Sequence, residues 1–485
     1  MHPNQEKIRA QTALDRGAAL AVIVFIGLLA LFPLRNNDIW WHLAVGKALA
    51  GSGHFITTDP FTFTRAGTPW VPHAWLSGLL LYAVHAGSGA LGLLVLRAVA
   101  VVAVFGVVLG LVRRLGVSWA LAAPVVLLAA LNAHSRFIVR PHLFEYVMVV
   151  LLLGHLLTTR DGRRYFAVPV LLQLAWVNLH ASFYLGVGLV ALFYGGEWLS
   201  HRLAGPLKTE GFLDANAIAW KRVGLLLASM IAVSFVNPSP AGFVLQPLNA
   251  EHRELLTAYT LEWRSPFDEA MRGAAFHPYY ELLLALSAAA FALSVKRLRL
   301  TSLLIVGFFA VLSLKAHRFR VEFALAAVPL VVDQIRISPV TGRARKWLAA
   351  GAGRWNRAPH AACIVLAAAL MVTARDRVTI GGTVSDRFPH AAFDFVRQNG
   401  IARRSFHSVG HGSFLLWDLY PERKAFIDGR NIDAVLHREF LACQTTSAGF
   451  NTTINKYRLD GFILPSPEKS DGGMRRTHDF LIQSR

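Results

Sequence analysis

The chain has 485 residues, 54% of them hydrophobic and only 16% charged, and its mean hydropathy is +0.43. A soluble protein of this size needs more polar surface, so the composition excludes an ordinary soluble enzyme and points to a polytopic membrane protein. The formal net charge is +20, but the basic residues stand in short clusters between apolar runs, and no basic stripe with interleaved aromatics marks a nucleic-acid surface.

Apolar runs that span or nearly span a bilayer core of ~30 Å occupy 17–34, 90–112, 118–131, 143–157, 165–177, 183–199, 223–236, 279–295, 300–314, 321–332 and 361–373. The expected fold class is an α-helical polytopic membrane protein of about eleven transmembrane helices with a small C-terminal α/β domain. The first run follows Lys7, Arg9 and Arg16 and ends in Phe32-Pro33-Leu34-Arg35, without a small-residue cleavage site. It reads as an uncleaved helix with a cytoplasmic N-terminus. The stretch 74–84 is too short to span. Laid along the outer surface, it leaves Arg113/Arg114, Arg160/Arg163/Arg164, Lys221/Arg222, Lys296/Arg297/Arg299 and Arg343/Arg345/Lys346 all inside. The outer side then receives 35–73, 132–142, 237–277, the short 315–320 and everything from 374 on. The division is 1–373 for the transmembrane domain and 374–485 for an extracytoplasmic domain. Cys363 and Cys443 are too few for a disulfide framework or a CxxC metal cluster.

The first outer loop opens with Asn37-Asp38-Ile39-Trp40-Trp41-His42. Asn37 can cap a helix from Asp38 to about residue 50, with Gly51 just past its end. Asp38, Trp41 and His42 then share one face. Asp38 is the first candidate catalytic group, as general base on an acceptor hydroxyl or as holder of a divalent cation. A helix N-terminus stabilises the anion and weakens it as a base unless burial offsets the dipole. The plain alternative is a helix-starting acid. Asp38 and His42 have a chelating spacing; a hydrogen-bonded histidine is the other reading. Trp40 and Trp41 fit an interface belt, or stack on a sugar face, with Trp41 the candidate binding residue. Asp59, before Pro60, is a turn acid and a second candidate acid. His73 closes the loop as a candidate binding residue.

Arg136 and Arg140, with His134, His142 and Glu145, surround the outer end of the third span. Guanidinium forks match phosphate oxygens and would neutralise a leaving phosphate; snorkelling to headgroups is the alternative. Asn178 and His180 mark an outer turn or line a cavity. Glu262-Trp263-Arg264 contacts an acceptor or ties down its own loop. Lys315, His317, Arg318 and Arg320 put four basic groups on the outer face, against the positive-inside bias, and a bound anion would supply the reason. Glu322 is a partner for one of them. In the tail, a helix at 388–399 and strands at 405–409, 424–427 and 461–464, alternating with helical stretches, imply a parallel sheet. Its strand ends carry Gly410-His411-Gly412 and Asp428-Gly429-Arg430, so Asp428 and Arg430 join the binding candidates.

A first span, a long outer loop opening with an acid, a surface helix, many further spans and an outward C-terminal domain together resemble the GT-C class of glycosyltransferases. That class includes the protein O-mannosyltransferase and aminoarabinose-transferase families. The segments Asp38-Ile-Trp-Trp-His-Leu, Asp59-Pro-Phe-Thr-Phe-Thr, Trp70-Val-Pro-His-Ala-Trp-Leu and Phe426-Ile-Asp-Gly-Arg also resemble a set of uncharacterised bacterial inner-membrane proteins distantly related to GT-C enzymes. Asp38 maps onto the class's first-loop acid, where Asn37-Asp38 stands in place of the common Asp-Glu. The resemblance implies inverting transfer of a sugar from a polyprenyl-phosphate donor to a glycan, lipid or protein acceptor, at the outer face of a bacterial inner membrane. A transporter or flippase for an anionic or lipid-linked substrate is the alternative, and a structural subunit of an envelope assembly the second.

Overall fold

The computed structural model describes residues 3–117, 119–159, 162–204, 209–214, 218–245, 256–269, 278–338, 384, 388–466 and 472–483. The chain is mostly helical. In order come α1 (Pro3–Leu29), α2 (Asp38–Ser52), α3 (Trp75–Arg114), α4 (Trp119–Ala133), α5 (His142–Thr158), α6 (Gly162–Leu179), α7 (Tyr184–Arg202), α8 (Trp220–Val233), α9 (Pro278–Leu293), α10 (Leu300–Lys315) and α11 (Arg320–Ile337). The C-terminal part adds α12 (His390–Asn399), β1 (Ser405–His407), α13 (Val409–Asp418), α14 (Ala434–Thr445), α15 (Ser447–Tyr457), β2 (Gly461–Ile463) and α16 (Gly472–Gln483).

Among the described residues two helical stretches, 75–114 and 181–202, are long and apolar enough to cross a membrane, and five apolar helices are shorter. The expected eleventh span, 361–373, and the expected boundary at 373–374 lie outside the described residues. The stretch read as a separate surface helix is the first part of α3, which bends at Gly89 (φ 60°, ψ −157°) before continuing as an apolar helix.

The bundle packs α1 on α3 and α4, α5 on α3 and α6, and α11 on α4, α5, α9 and α10. Trp176, Phe105, Phe137, Phe193, Phe309 and Phe323 fill its centre. Between apolar helices in lipid such contacts stabilise by close packing rather than by removal of surface from water.

A second core surrounds α2, which is packed between α3 and α13. Trp40 sits edge-on to Phe388 and Phe414, each 5.0 Å away between ring centres. It is therefore a core residue at the junction with the C-terminal part of the chain, not part of an interface belt. Gly46 and Gly78 let α2 and α3 cross closely: a Cβ on Gly46 would stand 2.2 Å from the Gly78 carbonyl oxygen. The helix ends later than expected, at Gly53, whose φ of 66° closes it in the left-handed region. Asn37 makes no side-chain cap. Asn36 acts instead, its Oδ1 accepting the Asp38 N–H at 2.7 Å.

In the C-terminal part β1 and β2 pair in parallel, Phe406 opposite Phe462. The expected strand at 424–427 does not join them. Ala425 bridges Thr62 of the first loop instead, with Ala425 N–H donating to Phe61 O at 3.0 Å and Phe63 N–H to Ala425 O at 3.1 Å. An ion triad locks the same junction. Arg430 donates to Asp59 Oδ1 at 2.7 Å and to Asp428 Oδ2 at 2.6 Å, and its guanidinium lies 4.5 Å from the Trp70 ring centre. Phe61 N–H and the Thr62 hydroxyl also donate to Asp59. All three charged side chains are buried.

Removing one partner from such a buried group leaves uncompensated charge and costs roughly 3–5 kcal/mol. Arg430→Met, similar in volume, strands two buried carboxylates. The expected outcome is a clearly lower melting temperature and early proteolysis at the junction; a melting curve and digest like the wild type's would contradict the clasp.

Candidate active site

Four segments separated by up to hundreds of residues end at one place. Asp38 is the first residue of α2. Arg136 closes the 3₁₀ turn His134–Arg136 after α4, and Arg140 stands in the link to α5. Glu262 lies in the 3₁₀ turn Leu261–Trp263, and Arg318 in the turn His317–Phe319 before α11. Short turns between packed helix ends hold these side chains where the bundle meets the C-terminal domain.

Arg140 joins the two acids. Its Nη2 is 2.9 Å from Asp38 Oδ2, and its Nη1 donates to Glu262 Oε2 at 3.1 Å. Glu262 also receives Arg136, and Arg318 Nη1 lies 3.8 Å from its other oxygen. The Arg318 guanidinium rests on the Trp263 ring, 4.4 Å from its centre. Three guanidiniums thus meet two carboxylates, an excess of one positive charge. Burial raises the Glu262 pKa, but Arg136, Arg140 and Arg318 outweigh it and hold Glu262 well below the usual carboxylate range. Asp38 goes the other way: burial raises its pKa, and Arg140 opposes this without cancelling it.

The backbone at Gly429, in the C-terminal part of the chain, lies directly against Asp38. A Cβ on Gly429 would stand 2.6 Å from Asp38 Oδ1 and 3.0 Å from Ser413 Oγ, so only glycine lets this backbone lie against the carboxylate. The Asp38 side chain keeps 22% of its surface exposed.

His42 packs its ring 3.5 Å from that of Trp41. Burial, then Arg140, His73 and His180, hold it well below the ordinary histidine pKa, so it is neutral at pH 7. Trp41 is buried, and its indole N–H has no partner among the described residues. His73 is half-buried close to both His42 and His180. His180 bonds Ser182 Oγ at 2.7 Å and lies 3.0 Å from Glu145 Oε2. Glu145 and Glu322, in the first turns of α5 and α11, are buried close to one another beside Arg318. This carboxyl pair adjoining the cluster was named in the sequence only as neighbours of basic groups. The signal was two acids, each in the first turn of an apolar run.

Other expected site residues lie elsewhere. Asp59, Asp428 and Arg430 form the buried triad, so Asp59 is saturated by structural partners, and Asp428 reaches Asp38 by its charge alone. Arg320 is buried and turns to Ser135 Oγ at 3.0 Å and to His317 Nε2 at 2.9 Å, which draws both Arg320 and His317 into the helix packing rather than toward Glu262. Arg264 donates to Ala258 O at 3.2 Å, and its carbonyl accepts the His317 N–H at 2.8 Å, which ties one loop to the next.

The donor set does not fit a metal held by Asp38 and His42. Arg140 already takes one oxygen of the Asp38 carboxylate, and among the described residues no three His, Cys, Asp or Glu side chains are grouped to hold an ion.

The fold has solved counterparts. The chain is similar to the oligosaccharyltransferase AglB of Archaeoglobus fulgidus, solved with an inhibitory peptide and a dolichol-phosphate: TM-score 0.61, 14% identity, 93% of this chain and 70% of that one. The fold is GT-C-like. The oligosaccharyltransferase of the same organism tethered to an acceptor peptide containing the NVT sequon matches at TM-score 0.57 and 14% identity, over 90% of this chain and 68% of that one. No protein-family model and no curated protein matches the sequence. Within this GT-C-like frame the acid opening the first loop is Asp38.

Glu262 holds the arginines that a phosphate would need. Glu262→Gln frees them, and each tenfold of affinity corresponds to ~1.4 kcal/mol. Calorimetric titration of the purified variant with inorganic phosphate at low salt is expected to show binding about tenfold tighter than in the wild type. Equal or weaker binding would contradict the competition.

Proposed function

We propose that the chain is a GT-C-type glycosyltransferase that moves a sugar from a polyprenyl-phosphate donor to an acceptor at the outer face of a bacterial inner membrane. One observation carries the reading: a largely buried carboxylate, Asp38, that keeps about a fifth of its surface exposed and is bonded to a guanidinium of a three-arginine cluster. The likeness in fold to an oligosaccharyltransferase solved with a dolichol-phosphate supports a lipid-phosphate donor.

In the proposed step Asp38 takes the proton of the acceptor hydroxyl as its oxygen attacks the anomeric carbon. The bond from that carbon to the phosphate oxygen breaks, and the electron pair leaves with the polyprenyl phosphate. Attack from the side opposite the leaving group inverts the anomeric centre. Arg140, Arg136 and Arg318 neutralise the departing phosphate, for which Glu262 must yield its place. Burial of Asp38 strengthens it as a base against the weakening by Arg140 and by the α2 N-terminus. His42, packed on the neighbouring Trp41, is neutral and adds no competing charge. The C-terminal domain, seated on α2, forms one wall of the acceptor side. The membrane lipids around the bundle admit the donor's polyprenyl chain.

The test is transfer by the purified protein from a panel of radiolabelled polyprenyl-phosphate sugars. Asp38→Asn is expected to lower the rate by about 10²–10⁴-fold, the usual contribution of a positioned base. Full-rate transfer by this variant would exclude the assignment. The base acts ionised, so the rate falls as pH drops through the Asp38 pKa. Because burial raises that pKa, the acid limb of the rate profile lies above the ordinary aspartate value of ~3.9 and moves higher still in Arg140→Gln. An acid limb unmoved by Arg140→Gln would show that Asp38 is not the titrating group.

A further inference from the structure

Helices α5 and α11, which open beside the Asp38 cluster, end together with α3. α3, α5 and α11 open near Trp75, His142 and Arg320, and their last turns line a cavity of about 240 Å³. A helix the length of α5 or α11 covers on the order of 25 Å, so this cavity lies at the opposite end of the bundle. Arg114, Arg299 and Arg336 face it, with Asp333 as its acid; Leu115, Leu157 and Leu330 supply apolar wall.

The polar side of the cavity is held in place from several directions. Arg299 Nε is 3.0 Å from Asp333 Oδ2, and its guanidinium lies 4.2 Å from the Phe212 ring centre. Gln334 Oε1 accepts the Arg299 N–H at 3.0 Å. Buried Glu197 fixes Phe212, accepting its N–H at 3.1 Å and that of Leu213 at 2.8 Å. Arg336 reaches the other oxygen of Asp333 at 2.9 Å. The single acid is shared by two guanidiniums, and among the described residues no carboxylate pairs with Arg114. The lining itself therefore sets three guanidiniums against one carboxylate beside apolar wall, with Glu197 and the Arg297-paired Glu210 acting on Arg299 from behind it. Guanidiniums in a rigid fork suit phosphate oxygens, and helix ends at a membrane surface meet lipid phosphates.

We propose that this cavity is a second anion site that takes a phosphate group, carried on a lipid whose chains lie along the leucines or presented free in solution. Neither the transfer step nor the Asp38 cluster enters the argument, so the two readings stand or fall separately.

The experiment titrates the purified full chain in nonionic detergent with phosphatidylglycerol, followed by native mass spectrometry, and in parallel with inorganic phosphate, followed by melting temperature. It compares wild type with Arg114→Gln/Arg336→Gln, which keeps the Arg299–Asp333 pair, and with Leu115→Trp, which fills the cavity and keeps every charge. Both variants leave the Asp38 cluster intact, so binding lost in them belongs to the far cavity. The expected result is a tight phosphatidylglycerol site in the wild type weakened at least tenfold in both variants. If inorganic phosphate alone raises the wild type's melting temperature and not the variants', the anion is taken free; if only the lipid binds, the site is a headgroup site, and either supports the proposal. Equal binding of both probes by all three proteins, or binding of neither by the wild type, overturns it.

Discussion

Arg140 between Asp38 and Glu262 sets the electrostatics of this end of the bundle. A carboxylate that is to work as a base needs a raised pKa, and burial provides it. The same burial would destabilise an isolated anion, and a neighbouring guanidinium limits that penalty while leaving one carboxylate oxygen unclaimed by arginine. Glu262 then does the complementary task. It keeps Arg136, Arg140 and Arg318 from repelling one another in the absence of a ligand, with its own pKa held low by all three. Exchange of Glu262 for a phosphate would conserve the sign of charge at the cluster. That exchange is the physical core of the proposed transfer.

Such an arrangement works only if Asp38 stays still relative to arginines that come from other helices. Two features secure it. Crossing through Gly46 and Gly78 brings α2 against α3, and Trp40 with Phe388 and Phe414 seats α2 against the C-terminal domain. The Asp59–Arg430–Asp428 triad then fastens that domain to the first loop. A buried triad of this kind is weak evidence for net stability, but it specifies one docking geometry, because a displaced domain would leave charges unpaired. The domain thus shapes the surroundings of Asp38 through Gly429 without contributing a reacting group.

Much of this was legible in the chain. Apolar runs and their basic flanks give the helices, and the acid after the first run, the paired arginines after the third and the basic cluster before residue 321 stand out because each is anomalous for its place in the membrane. What the sequence could not show were partners. Glu262 answers Arg140 across 122 positions and Asp59 meets Arg430 across 371, distances over which no local pattern carries information. Asp59, Asp428 and Arg430 therefore looked like three separate polar candidates, whereas each satisfies the others. Arg320 was misplaced for a related reason. Two positions from Arg318 on a turn entering a helix, it points the other way, into Ser135 and His317. The stretch expected as a strand at 424–427 is apolar from Ala425 to Ile427, but its neighbour is the first loop, not β1.

The central claim is that Arg140 and its neighbours are the seat of a lipid-borne phosphate beside a basic Asp38. Its most direct test is an experimental structure of the full chain in a lipid nanodisc with bound polyprenyl phosphate. The account predicts phosphate oxygens within hydrogen-bond distance of Arg140 and at least one of Arg136 and Arg318, with Glu262 displaced and the Asp38 carboxylate facing the open side. A phosphate seated elsewhere, with Arg140 still bridging Asp38 and Glu262, would contradict it.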